Sequence, residues 1–436
     1  MDNQTLNDQD ADYRNTITWL FDLQFVGMKL GLDNIRSLAA FWDNPHLRYP
    51  IIHIAGSNGK GSTASFIASA LQAAGYRTGL YTSPHLVDFS ERIRVDGVPI
   101  AGERVVEYTR KLRGEIERLN ATFFEATTLM AFQYFSEEKV DIAVVETGLG
   151  GRLDATNIVV PVLSVITSLS VEHSEFLGNT IESIAAEKAG IMKAGVPCVT
   201  PNRNEAALGI LRQHAAVLGV PLHMVPLPEQ PPVLSELDSM TCTLPGFGTG
   251  IEVGLVGAHQ VENASTAVTA LRLLAASGFS ALSDNRIAAG LAEVRWRSGL
   301  RGRLEWVRVE PELVVDVGHN PDGIRAMLEC WTAVRKMETT DIVFGVLKSK
   351  DLQAIFQILT RYSPRSITLV QAASEEARSL EDMLQLASEA GIAAEGAGDV
   401  LQAVLNRMNQ PGEGSVLLFG SHYVAGAFLR EWGKIC

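Results

Sequence analysis

Short apolar runs recur along the chain, each closed by a polar or glycine-rich cluster and most followed by a helical pattern: IIHIA (51–55), RTGLYT (77–82), VDIAVVE (140–146), VLSVITS (162–168) and VPCVT (196–200). Strands that alternate with helices imply a parallel sheet, because each crossover helix must cover a face of the sheet it returns to. Open sheets of this kind bind ligands beyond the carboxyl ends of their strands. The residues at those ends read SNGKGST, SPH, ETGLGGR and SLSVEH, and the chemistry of the chain is expected there.

A second series of strand candidates, LVVDVG, DIVFGV, SITLVQ and SVLLFG, follows the basic, glycine-containing stretch RWRSGLRGRLEWV (295–307). The expected division is therefore 1–298 and 299–436. Residues 226–253 are rich in proline and turn formers and are read as a long excursion carrying a small β-element, not as a boundary. The expected class is α/β: a mostly parallel-sheet domain of the phosphate-loop ATPase type, then a smaller Rossmann-like domain.

Composition narrows the partners. A formal charge of −13 over 436 residues argues against general affinity for nucleic acid or an anionic membrane, so an anionic substrate needs a local basic site. The four cysteines (Cys198, Cys242, Cys330, Cys436) are widely spaced and read as reduced thiols. No apolar run approaches membrane-spanning length and the acidic, polar N-terminus lacks signal-peptide blocks, so a cytoplasmic location is expected.

In HIAGSNGKGST (53–63), a strand run leads through glycines into the helical pattern STASFIASALQAAG. Such a turn offers backbone N–H groups and a helix dipole to an anion, and Lys60 adds a movable positive charge for phosphates. The common pattern G-x-x-x-x-G-K-[ST] is not met: Ile54 and Gly61 stand where a glycine and a hydroxyl belong. Ser62, or failing it Thr63, is the hydroxyl that reaches a magnesium ion. Ser83 and His85 follow the second strand, Glu146 ends the third, and His173 follows the fourth. A hydroxyl, a carboxylate and an imidazole beyond neighbouring strands can hold one or two divalent ions. Asn179 and Glu182 have capping-box spacing before a helix that contains Lys188, and Lys188 reads from sequence as a solvated surface charge.

The order HIAGSNGKGST, YTSPHL, TFFEATTLMAF, VVETGLGGRLDATN, SVEHSEFLGNTIESIAAEKAGIMK, GAHQVENA, GRLEWV and DVGHNPDG closely resembles the bacterial dihydrofolate synthase/folylpolyglutamate synthase family, related to the Mur ligases. The resemblance implies that Gly61 is a standard insertion. It implies ATP phosphates at Ser57, Asn58, Gly59, Lys60, Gly61 and Ser62, and magnesium, as two ions, at Ser62, Ser83, Glu146 and His173. Lys188 matches a lysine carbamylated in the family. Asn263 and Arg303 match nucleotide-contacting positions, and Asp316 and His319 match residues that the C-terminal domain brings to the nucleotide. Lys60, His173, Lys188 and His319 are the implied catalytic groups. Phe124, Glu125, Arg152 and Asp154, with the stretch GMKLGLDN (27–34), resemble the part that handles the pterin or folate. Four departures stand out: Glu172 in place of aspartate, Val317 within DVGHNP, Arg301 in place of proline, and the loosely matching FGSHYV (419–424).

What the resemblance implies chemically is ATP-dependent addition of L-glutamate to dihydropteroate and to reduced folates through an acyl phosphate, by a monomer. Polyglutamate synthesis alone is one alternative. A Mur-type ligase acting on a cell-wall precursor is another, although only some fifty residues precede His53, fewer than a substrate domain needs. A nucleotide-driven switch is a third; it gives no reason for metal-type residues after three further strands.

Overall fold

A computed structural model of the chain describes residues 3–23, 31–171, 177–228, 230–234, 236–372, 374–410 and 414–435. His173, Glu172, Cys436 and residues 27–30 of GMKLGLDN lie outside them. The chain divides into two compact units. One comprises Met1–Leu227, Pro245–Phe247 and Glu262–Gly299; the other comprises Pro228–Leu244, Gly248–Val261 and Leu300–Cys436.

The first unit is built on an eight-stranded sheet: β1 (Ile51–Ala55), β2 (Thr78–Tyr81), β3 (Ile93–Val95), β4 (Val98–Pro99), β5 (Ile142–Glu146), β6 (Leu163–Ile166), β7 (Cys198–Thr200) and β8 (Leu222–Met224), in the order β4-β3-β2-β5-β1-β6-β7-β8. The five expected runs supply β1, β2, β5, β6 and β7. All five residues of β1 and of β5 are buried, as a parallel sheet covered on both faces requires. The chain places β5 on one side of β1 and β6 on the other, so the order reverses at β1 and the crevice beyond its carboxyl end is the favoured ligand position. The antiparallel β3–β4 hairpin extends one edge through a turn at Asp96-Gly97, both in the left-handed region (φ 50° and 78°). RVDGVP carries the Asp-Gly signal for such a turn.

The second unit holds two sheets. β9 (Val233–Leu234), β10 (Met240–Leu244) and β11 (Gly248–Val253) form a small antiparallel sheet in the order β11-β10-β9, the β-element expected in the proline-rich excursion. The other sheet comprises β12 (Glu305–Arg308), β13 (Glu312–Val315), β14 (Thr340–Phe344), β15 (Ser366–Val370), β16 (Glu395–Ala397) and β17 (Ser415–Phe419). Its order is β12-β13-β17-β14-β15-β16, parallel except for the β12–β13 edge. The excursion, expected within 1–298, falls instead mostly with the second unit, where Arg335 pairs with Glu236 at 3.0 Å and with Glu312 of β13 at 2.9 Å. Cys198, Cys242 and Cys330 are free thiols, and burial pushes them up to about 12, 11 and 12, which keeps them protonated and unreactive.

Candidate active site at the carboxyl ends of the strands

The glycine loop fills the crevice at β1. Gly59 caps the helix Lys60–Ala73 with φ 82°, and Gly75 follows that helix in the left-handed region. The first-turn N–H groups of a helix have no carbonyl within the helix to bond, so they face an incoming anion. Neighbouring segments hold the loop. Ser57 N–H donates to the Ser168 carbonyl at 2.9 Å, Ser57 Oγ to the Ser170 carbonyl at 2.8 Å, and Thr167 Oγ1 to the Asn58 carbonyl at 2.7 Å. Approach is closest at two glycines. A Cβ on Gly56 would lie 1.8 Å from Thr167 Oγ1, and one on Gly59 would lie 2.2 Å from Asn263 Oδ1. Asn263 is buried against the loop, with Oδ1 3.4 Å from Thr63 Oγ1. Ser62 is buried in the helix's first turn.

Two lysines reach the loop's first carbonyl. Lys60 Nζ donates to Gly56 O at 3.0 Å and to Ser57 O at 3.2 Å; Lys188 Nζ donates to the same Gly56 O at 2.8 Å. Lys188 stands in the last turn of the helix Ile181–Ala189 and is 1% exposed, so its reading as a solvated surface charge is overturned. Packing of that helix against the sheet side, not its own polarity pattern, decides where the lysine points. The helix is capped one residue later than expected, because Thr180 is the extended residue: its hydroxyl accepts the Ser183 N–H, and Asn179 and Glu182 do not form the box.

Parallel register brings Ser83 and Glu146 together. Tyr81 of β2 lies opposite Val145 of β5, and Ile54 of β1 lies opposite Glu146. The Glu146 carboxylate, 3% exposed, accepts the Ser83 N–H at 3.2 Å. His85 is turned to a different partner, accepting at Nδ1 from Arg92 Nε at 2.8 Å.

The four substrate candidates separate by what their side chains touch. Glu125 closes a capping box with Thr122, accepting its N–H at 2.7 Å and its hydroxyl at 2.9 Å. Asp154 accepts the N–H groups of Gly148 and Leu149 at 2.9 Å each and that of Thr156 at 3.0 Å, which folds the GLGGR turn; burial raises its pKa. Phe124 lies over the same turn, where a Cβ on Gly148 would come within 2.5 Å of its ring. Arg152, more than half exposed, pairs with Glu187 at 2.8 Å, beside Lys188.

Sequence reasoning missed a buried chain behind the loop. Thr156 Oγ1 donates to Asp154 Oδ1 at 2.5 Å and lies 2.8 Å from His53 Nε2. The Thr156 proton goes to Asp154, so His53 Nε2 is the protonated nitrogen of a neutral ring, and burial pulls its pKa down to about 3. A histidine inside an otherwise apolar strand run was the available signal.

In the second unit, Asp316 follows β13 and joins two of the expected blocks. Its carboxylate accepts the Leu304 N–H at 2.9 Å and the Gly318 N–H at 2.6 Å, so GRLE and DVGHNP, with Arg303 and His319, meet at one strand end. His319 Nδ1 lies 2.9 Å from the Val317 carbonyl. The departures fit locally: Arg301 pairs with Glu305 at 2.8 Å, and Val317 is buried while its N–H bonds to the Gly302 carbonyl at 3.1 Å.

The Mur ligase middle domain family model matches residues 54–271, and the model for the Mur ligase, glutamate ligase domain matches 302–422. A dihydrofolate synthase/folylpolyglutamate synthase of Bacillus subtilis is 37% identical over 80% of the chain and 82% of its own length. The chain belongs to the dihydrofolate synthase/folylpolyglutamate synthase family. A folylpolyglutamate synthase of Lacticaseibacillus casei is 32% identical over 80% of the chain and 83% of its own length. Folylpolyglutamate synthase of Mycobacterium tuberculosis, solved with ADP and AMPPCP, superposes with a TM-score of 0.86 at 27% identity, covering 98% of this chain and 99% of that one. The family consists of ATP-dependent ligases, not nucleotide switches, and its fold is the one described above. Among the described residues, no helix is long and apolar enough to cross a membrane.

Proposed function

We propose that the chain uses ATP to add L-glutamate both to dihydropteroate, forming dihydrofolate, and to the γ-carboxyl group of reduced folates. The observation that carries this reading is the loop of Gly56–Ser62, gripped by Lys60 and Lys188 one strand away from the buried Glu146. A carboxylate is a poor acyl donor because oxide does not leave. Its oxygen therefore attacks the γ-phosphorus of ATP and ADP departs; the glutamate amine then attacks the acyl carbon, releasing phosphate and a proton. The N–H groups of Gly59, Lys60, Gly61 and Ser62 cradle the phosphates, Lys60 swings from the Gly56 carbonyl onto the transferred group, and Asn263 braces Gly59. Arg303, Asp316 and His319 are the nucleotide-contacting positions of the second unit.

Magnesium fits the donors present: Glu146 is a buried carboxylate, and Ser62 and Ser83 bring the hard oxygens this ion prefers, with His173 as a further ligand. When bound, it neutralises charge on the phosphates. Lys188 is the group to carry a carbamate. As a free amine it takes up CO2 to give a carbamate and a proton, and the anion can help to hold a metal. Phe124 and Arg152 present side chains to the pterin or folate, while Glu125 and Asp154 shape the walls. The enzyme works as a monomer in the cytoplasm.

Magnesium-dependent ADP release tests the reading, with glutamate plus dihydropteroate, tetrahydrofolate or a muramoyl precursor. Turnover with the first two is expected. Turnover with tetrahydrofolate alone removes the dihydrofolate synthase half, and turnover with the muramoyl compound alone overturns the folate reading.

A further inference from the structure

The last strand and turn of the chain, FGSHYV, match the family only loosely, yet they place a second imidazole beside His319. Strands β13 and β17 pair in parallel with Val315 opposite Leu418. His319 stands four residues beyond Val315 and His422 four beyond Leu418, so the two histidines leave the same sheet edge at equal offsets. Their ring centroids are 5.6 Å apart with the planes at 58°, within the range of a tilted, edge-on ring contact.

Both backbones are pinned. Gly420 turns the chain at φ 113°, where a Cβ would lie 2.5 Å from the Gly345 carbonyl, and Ser421 caps the helix His422–Trp432 by accepting the Tyr423 N–H at 3.1 Å. On the neighbouring strand, Asn320 caps the helix Pro321–Val334 by accepting the Gly323 N–H at 2.8 Å. With the backbones fixed, what remains is the orientation of the rings. The carbonyl of Val317 accepts from Nδ1 of His319, which makes Nδ1 a protonated nitrogen of the ring. The His422 ring packs against this imidazole and limits its swing.

We propose that His422 is a positioning residue for His319: its ring holds the His319 imidazole in the orientation and tautomer that meet the nucleotide. Part of the test rests on the ligase reading, and part does not. In protein labelled with 15N at histidine, the side-chain signals of His319 report the tautomer directly. The unaltered enzyme and His422→Phe, which keeps a ring at the position, are expected to show His319 as the Nδ1–H form, while His422→Ala shows a mixture of both tautomers. In ADP-release assays, His422→Ala is expected to raise KM for ATP about fivefold with kcat changed less than about twofold, and His422→Phe to restore KM to within about twofold. If the alanine variant does not fold, His422→Leu keeps the bulk without the ring and takes its place. The proposal is overturned if the ringless variant keeps the His319 signals and the KM of the unaltered enzyme, or if His422→Phe is as impaired as it. Should the unaltered protein release no ADP with any folate acceptor, the ligase reading fails and the nitrogen spectra alone decide the role of His422.

Discussion

Lys60 and Lys188 donate to one oxygen, the carbonyl of Gly56, from 3.0 and 2.8 Å. One lysine begins the helix after β1 and the other stands in the last turn of the helix Ile181–Ala189. A carbonyl carries two lone pairs and can serve both donors. Lys188, 1% exposed, is held inside the unit, whereas Lys60 is only partly buried.

Lys188→Ala should lower ADP release by about a hundredfold or more, since the alanine removes both the tie to Gly56 and the proposed site of CO2 uptake. Exposure of the unaltered enzyme to 13C-labelled CO2 should give a carbamate carbon signal that the variant lacks. Full activity in the variant, with no dependence on bicarbonate, would falsify the carbamate reading.

Gly59→Ala places a methyl group 2.2 Å from Asn263 Oδ1 at a φ of 82°. The backbone strain alone costs about 1–2 kcal/mol. The expected result is a fall of about tenfold to a hundredfold in kcat/KM for ATP, with KM for glutamate little changed. Combining it with Asn263→Ala should recover stability in a melting experiment without recovering ATP use, because Asn263 itself braces the loop.

The loop, Ser83 and Glu146 were legible in the sequence because glycines and polar residues mark where a buried strand run stops, and parallel register then brings neighbouring strand ends together. Lys188 was not legible as buried. A lysine in a short helix gives the same local pattern whether its tip meets solvent or a carbonyl, and only the packing of the helix decides. The pairing of His422 with His319 depends on the register of β13 and β17, which lie far apart in the chain. The RVDGVP hairpin was legible in principle from its Asp-Gly pair, but its strands are too short for periodicity to reveal. Glu125 and Asp154 show a further limit: sequence marks them as polar residues in special segments, and the structure shows their oxygens bonded to backbone N–H groups.

Glu146→Gln keeps the shape of the side chain and an acceptor for the Ser83 N–H but removes the charge. The magnesium concentration giving half-maximal ADP release should rise at least about tenfold and kcat should drop about a hundredfold, with stability within about 1 kcal/mol of the unaltered enzyme. An unchanged magnesium curve would remove Glu146 from the ligand set and leave it as a strap for the Ser83 turn.

His53 gives the chain an acid limit that can be measured apart from catalysis. Its ring is fully buried and bonded to Thr156, and its pKa falls from the ordinary 6.5 to about 3. Between those two values the unfolded chain binds a proton that the folded chain refuses, so the contribution of His53 is present above pH 6.5 and is lost progressively as pH falls towards 3. The slope from one such group approaches about 1.4 kcal/mol per pH unit. His53→Gln retains a donor for Thr156 and cannot titrate. It should be the less stable protein at pH 7, and its urea-unfolding free energy should fall less steeply on acidification, so that the two curves converge towards the acid end. Parallel curves from pH 7 to pH 4 would mean that the acid sensitivity of the fold arises at another group.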